Sequence, residues 1–140
     1  MRRLLDIPWL ARWAGRVVAA ALTLYLGLNT YWGFGGKWAV ADVLAAGEIV
    51  PPLWVVWLLE AVVAAAIVAV LARSGTLRLP VPRRVLHAAV WLLAGWLAVM
   101  AMSWFSSPVA WEKYVIGPIA ILLAALTWSV ASAPDEPPTR

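Results

Sequence analysis

Residues 51–73 read Pro-Pro-Leu-Trp-Val-Val-Trp-Leu-Leu-Glu-Ala-Val-Val-Ala-Ala-Ala-Ile-Val-Ala-Val-Leu-Ala-Arg, and Ser74-Gly75 follow. Between the prolines and Arg73, Glu60 is the one ionisable side chain. Proline suits a first helical turn, and a basic residue followed by glycine suits a last one. The hydrocarbon core of a bilayer needs ~20 apolar residues per helical span. The stretch therefore reads as a membrane helix with clear start and stop signals.

Three more runs of similar length flank it, giving expected spans at about 14–33, 52–72, 85–105 and 112–132. They occupy most of the 140 residues, of which 64% are hydrophobic and 13% charged. Soluble domains are roughly 45–50% apolar, so this charge is too sparse to coat a water-exposed fold. The expectation is an all-α, integral membrane four-helix transmembrane bundle, with one domain over residues 1–133 and a disordered tail over 134–140. Pro134-Asp-Glu-Pro-Pro-Thr-Arg140 is short, polar and proline-rich, as such a tail requires. No cleavable signal peptide is expected, because the first run is too long for one and another span follows.

Charge sets the orientation. Nine of the eleven basic residues fall in the N-terminal segment, the second connection or the tail: Arg2, Arg3, Arg12, Arg16, Arg73, Arg78, Arg83, Arg84 and Arg140. Only Lys37 and Lys113 fall on the other side. Cytoplasmic loops carry the excess of Lys and Arg, so both termini are expected to be cytoplasmic, in a bacterial cytoplasmic membrane. Basic residues gathered at span ends, not along one face, argue against nucleic acid as a partner. The arginines of the second connection would attract anionic lipid at ~1 kcal/mol each. The expected partners are the lipid bilayer and either a homo-oligomer or another membrane protein.

The longest connection, Gly33 to Val50, begins with Gly33-Phe-Gly35-Gly36, a turn signal. Residues 38–46 could then add two helical turns capped by Gly47. Small residues at Gly15, Ala19, Thr23 and Gly27, at Ala61, Ala64, Ala65 and Ala69, and at Ala94, Gly95, Ala98 and Ala101 would let backbones approach closely. Such stripes serve packing within one bundle more often than dimerisation. Pro118, inside the fourth run, removes a backbone donor and should bend the helix or mark its true start.

Glu60 is the leading candidate for chemistry. Counted from Pro52 it lies ~12 Å along the helix, where an acid is costly and is expected to face the bundle interior or a water-filled cavity. Two readings stand side by side. It is either the coupling acid of a proton-coupled transporter or channel, or an interhelical tie hydrogen-bonded to Asn29, Thr23 or Tyr25. A second group, Lys37, Asp42, Glu48 and Glu112 with Lys113, is either a polar mouth above Glu60 or a set of solvated charges with Glu112 paired to a lysine. His87 reads as an interfacial histidine. Cysteine is absent, which removes thiolate metal sites and disulfides, and one histidine does not build a metal site. No metal or cofactor is expected. The His-Glu-x-x-His, Gly-x-Ser-x-Gly and P-loop patterns are all missing, so the reading leans away from an enzyme.

Tyr31-Trp32-Gly-Phe-Gly35-Gly36-Lys-Trp38 resembles the Tyr-Trp-x-x-Gly-Gly-x-Trp signature of the DUF3995 family of small bacterial four-span membrane proteins. Trp111-Glu112-Lys-Tyr-Val-Ile-Gly-Pro118 is similar to its Glu-containing segment before a proline in the last span. The resemblance implies four spans and a membrane location, and it supplies no activity. Members often carry a histidine just before the Tyr-Trp pair, where this chain has Asn29, so imidazole chemistry does not carry over. The expected function is that of a non-enzymatic interaction or accessory membrane subunit; the alternative is transport through Glu60.

Overall fold

In the computed structural model, residues 8–38, 44, 45, 47 and 51–134 are described. Arg2, Arg3, Asp42, Glu48, Arg140, most of the short helix expected over 38–46 and all of the tail after Pro134 lie outside the described residues. The described chain is all helical: α1 (Pro8–Gly33), α2 (Leu53–Arg73), α3 (Arg83–Phe105) and α4 (Gly117–Ser132), the last preceded by a π-helical turn at Glu112–Ile116. Three of these are long and apolar enough to cross a membrane: Leu53–Arg73, Arg83–Phe105 and the continuous Glu112–Ser132. At 26 residues α1 has the length as well. It is not one of the three, for it also carries Arg12, Arg16, Thr23, Asn29 and Thr30.

Helix ends follow the local chemistry. At the end of α2, Gly75 takes a φ of 76°. Its N–H bonds the Ala72 carbonyl while that of Thr76 bonds Leu71, which is the paired closure of a Schellman motif. The end of α1 repeats it: Gly35 has a φ of 85°, with Gly35 N–H on Trp32 O and Gly36 N–H on Tyr31 O. The Tyr31–Gly36 signature is thus a helix stop. Pro118 acts upstream of itself. Lacking an N–H, it cannot bond the Tyr114 carbonyl, and the preceding turn widens so that Gly117 N–H reaches back to Glu112 O. The α-helix proper then starts at Gly117 with Pro118 in its first turn.

The helices form a ring. α1 packs on α2 and α4, α3 packs on α4 and α2, and α1 and α3 stand on opposite corners with their backbones apart. The core is aliphatic: Ala14, Val18 and Leu22 meet Val63, Val70, Val90, Leu93, Leu97 and Val130. α4 turns a face of Gly117, Ala120, Thr127 and Ala131 inward, and α3 meets it with Ala94 and Ala101. The small-residue stripes divide between two uses. Gly15, Ala19, Ala94 and Ala101 are buried, while Thr23, Gly27, Ala61, Ala65, Gly95 and Ala98 face outward. Many large apolar side chains also point out, among them Leu24 at 78%, Leu92 at 75% and Met102 at 73% exposure. Exposed apolar surface on this scale fits hydrocarbon as solvent.

At one end of the bundle lie the start of α1, the α2–α3 connection and the end of α4. There Gly15 abuts Ser74, and Arg73 Nη2 donates to the Ala133 carbonyl at 2.7 Å. Arg12, Arg16, Arg78, Arg83 and Arg84 belong to this same end and are exposed. At the other end Ser107 anchors the start of the last helical segment. Its Oγ accepts from Val109 N at 3.1 Å and donates to Glu112 Oε2 at 2.6 Å. Ser107→Ala is expected to lower stability by about 1 kcal/mol, the usual worth of such a terminal hydroxyl. Reversible unfolding in mixed micelles would measure it, and an unchanged midpoint would show that the hydroxyl contributes nothing.

Candidate functional site

Glu60 sits on the inward stripe of α2, one turn from buried Val56 and from buried Val63. Its Oε1 is hydrogen-bonded to Thr30 Oγ1 across the α1–α2 interface. Thr30, which the sequence reading did not single out, also bonds the Leu26 carbonyl of its own helix at 2.9 Å. The second oxygen, Glu60 Oε2, is buried and has no partner. Next to Thr30 in the chain, Asn29 is only 4% exposed, and its Nδ2 is likewise buried and unpartnered. Asn29 continues the inward face of Val18, Leu22, Tyr25 and Leu26 on α1. Buried polar atoms of this kind are uncommon, because each one forfeits its hydration without compensation.

The other residues singled out from sequence go elsewhere. Thr23 Oγ1 bonds the Ala19 carbonyl at 2.7 Å, a turn back on its own helix. Tyr25 lines an apolar cavity of about 270 Å³ between α1, α3 and α4, together with Leu24, Leu28, Trp96, Trp104 and Ile119. This cavity touches neither Glu60 nor Asn29. Glu112 bonds Ser107, not a lysine. Lys37 is exposed, and Asp42 and Glu48 lie outside the described residues.

Above the Glu60–Thr30 pair the chain builds a lid of aromatic side chains. Gly33 packs directly on the Trp57 ring, leaving 3.1 Å where a Cβ would stand. Phe34 meets the same ring edge-on at a centroid distance of 5.5 Å. Trp32 Nε1 donates to the Trp38 carbonyl at 2.9 Å, and Trp38 N–H donates to Tyr31 Oη at 3.4 Å. Gly36 lies so close over the Tyr31 ring that no Cβ fits there. Trp38 then reaches Trp111 at 6.1 Å. The conspicuous Tyr-Trp-x-x-Gly-Gly-x-Trp string therefore folds the connection back onto the end of α1, with each named residue doing a structural task. Since α1 ends three residues after Thr30, the Glu60 site lies about one helical turn below this aromatic layer. On the α1 side it is shallower than the count along α2 suggests.

At the basic end, Trp91 Nε1 donates to His87 Nε2 at 3.0 Å, and Trp91 meets Trp128 edge-on at 4.6 Å. His87 is thereby held as an acceptor at Nε2, on an exposed face. Among the described residues no group of three His, Cys, Asp or Glu could hold a metal ion. No protein-family profile, curated protein or solved structure matches the chain.

Proposed function

We propose that this small all-helical polytopic membrane protein crosses the bilayer four times, with both termini on the cytoplasmic side of a bacterial cytoplasmic membrane, and acts as a non-enzymatic interaction or accessory subunit. One observation carries the functional part. Among the described residues Glu60 is the one acid away from the ends of an apolar span; it is tied to Thr30 across a helix interface, and the 270 Å³ cavity among α1, α3 and α4 does not reach it. The Glu60–Thr30 pair ties α1 to α2, while the outward faces offer broad apolar surface to lipid or to another helix. The exposed arginines at one end supply the orientation.

Two experiments test this reading. The natural chain has no cysteine, so Lys37→Cys and Arg78→Cys each create a single label site. Membrane-impermeant maleimide should reach Lys37→Cys from outside intact cells and Arg78→Cys only after permeabilisation. Equal labelling of both from outside would overturn the topology. Photo-crosslinking from the exposed Leu92 and Met102 positions in cells should capture another copy or a second membrane protein. A purified monomer with no captured contact would end the accessory reading.

Transport through Glu60 stays the second reading, because Glu60 Oε2 and Asn29 Nδ2 are buried without partners. It requires proton-linked flux in proteoliposomes that Glu60→Gln abolishes while the fold survives. Wild-type flux in the variant would remove Glu60 from any such mechanism.

A further inference from the structure

The 270 Å³ cavity among α1, α3 and α4 has a defined depth and a uniform chemistry. Its lining falls within residues 21–28 of α1, 96–104 of α3 and 116–123 of the last helical segment. All three stretches belong to the end of the bundle opposite the exposed arginines. Ala21 lies twelve residues before Gly33, the last residue of α1, which is on the order of 18 Å along the helix. Trp96 lies nine residues before Phe105, the last of α3, which is on the order of 14 Å. Half of a bilayer's hydrocarbon core is ~15 Å. The cavity therefore takes in about the depth of one leaflet, beginning at Trp104, one residue from the end of α3.

The chemistry of the lining narrows the occupant. Among the described residues it holds no charged side chain, and its polar atoms are the Tyr25 hydroxyl and the indole N–H groups of Trp96 and Trp104. An ordered water needs about two to four polar partners, so most of this space is unsuited to water. Left empty, the lining atoms would forfeit the contacts that a filled interior supplies. The cavity is open sideways to the bilayer: the backbones of α1 and α3 stand apart, and Leu24, which lines it, is largely exposed. Apolar cavities of about 150 Å³ take up benzene, so 270 Å³ has room for a longer stretch of hydrocarbon. A helix ~10 Å across running to the same depth occupies on the order of 1,000 Å³, several times the space present. A neighbouring helix could cover this opening but not fill it. Drawn out over one leaflet, the cavity is a narrow slot, as an extended hydrocarbon chain requires.

We propose that the slot is a binding site for one acyl chain of a bilayer lipid, drawn from the leaflet opposite the arginines. The chain lies between α1 and α3 against Tyr25, Trp96 and Leu123, and the headgroup sits beside Trp104. The Trp104 indole, apolar in body with a single N–H, suits that level of the membrane. The site rests on the protein residing in a bilayer, not on the accessory role, and it holds for either orientation of the termini.

Photolabelling of the whole protein in vesicles tests the proposal. The vesicles are phosphatidylcholine with a trace of the same lipid carrying a diazirine in mid-chain, and the adducts are mapped by peptide mass. They should concentrate on residues 21–28, 96–104 and 116–123. The outward face of α2 at Leu58 and Val62, exposed and equally apolar, should take far less. Ala21→Phe, which fills the slot from its α1 wall, should lose most of the label. Ala65→Phe, on the exposed face of α2 and outside the slot, should keep it. Adducts spread evenly over the outward faces of the wild type would overturn the proposal, and that measurement stands even if Ala21→Phe does not fold. Undiminished label in a folded Ala21→Phe protein would overturn it as well.

Discussion

Thr30→Val is expected to lower the unfolding free energy by about 1–3 kcal/mol, the cost of leaving a buried polar partner unsatisfied. Valine fills nearly the same space, so packing is kept and the loss falls on the hydrogen bond to Glu60. The converse substitution should behave differently. Glu60→Leu leaves Thr30 still bonded to the Leu26 carbonyl at 2.9 Å, orphans nothing, and removes the unpartnered Oε2. It is expected to match or exceed the wild type, as other replacements of buried polar pairs by apolar side chains do. The double variant Thr30→Val with Glu60→Leu should then recover most of the single-variant loss. The sum of bond and orphan penalties exceeds the ~0.6 kcal/mol typical of an interhelical hydrogen bond in a membrane, so denaturant titration in mixed micelles resolves it. If Thr30→Val unfolds at the wild-type midpoint, the Thr30–Glu60 hydrogen bond contributes nothing to stability.

Gly15→Leu should be the most damaging single change in the α1–α2 interface. A Cβ at Gly15 would stand 2.5 Å from Ser74 Cβ and 2.6 Å from its Oγ. Ser74 has nowhere to retreat, being buried, bonded to Leu71 O at 3.1 Å and part of the closed end of α2. The helices must separate, and overpacking of this kind costs about 1–3 kcal/mol even for smaller insertions. Gly27→Leu is the matched control, because a Cβ there meets nothing within 4 Å. It lies on the same helix and makes the same change in residue type, yet it should be neutral or slightly stabilising through helix propensity. Equal effects from the two substitutions would mean that α1 does not pack on α2 through Gly15.

Much of the architecture could be read from apolar run length, because bilayer thickness fixes how many residues a helix must keep free of charge. Leu53–Arg73 shows this most clearly: Pro51-Pro52 and Ser74-Gly75 punctuate it, and the helix ends where they say. The site was only half legible. Glu60 stood out as an acid in an apolar run, but its partner did not, since consecutive residues on a helix point about 100° apart. Asn29, Thr23 and Tyr25 were as plausible as Thr30 until the rotation of α1 about its axis was known. An all-round apolar helix carries little amphipathic signal from which to read that rotation. The same blindness covered Glu112, where sequence spacing suggested a lysine and the turn after Phe105 brought Ser107 instead.

The chain by itself determined that its helices prefer oil, where each stops and at which end its arginines gather, since these depend on composition and on residues adjacent along the backbone. Only the tertiary structure decided that Thr30 faces Glu60, that Gly15 must stay bare against Ser74 and that Trp38 reaches Trp111. Those contacts depend on the rotation and approach of helices far apart in sequence, and packing among all four settles them together.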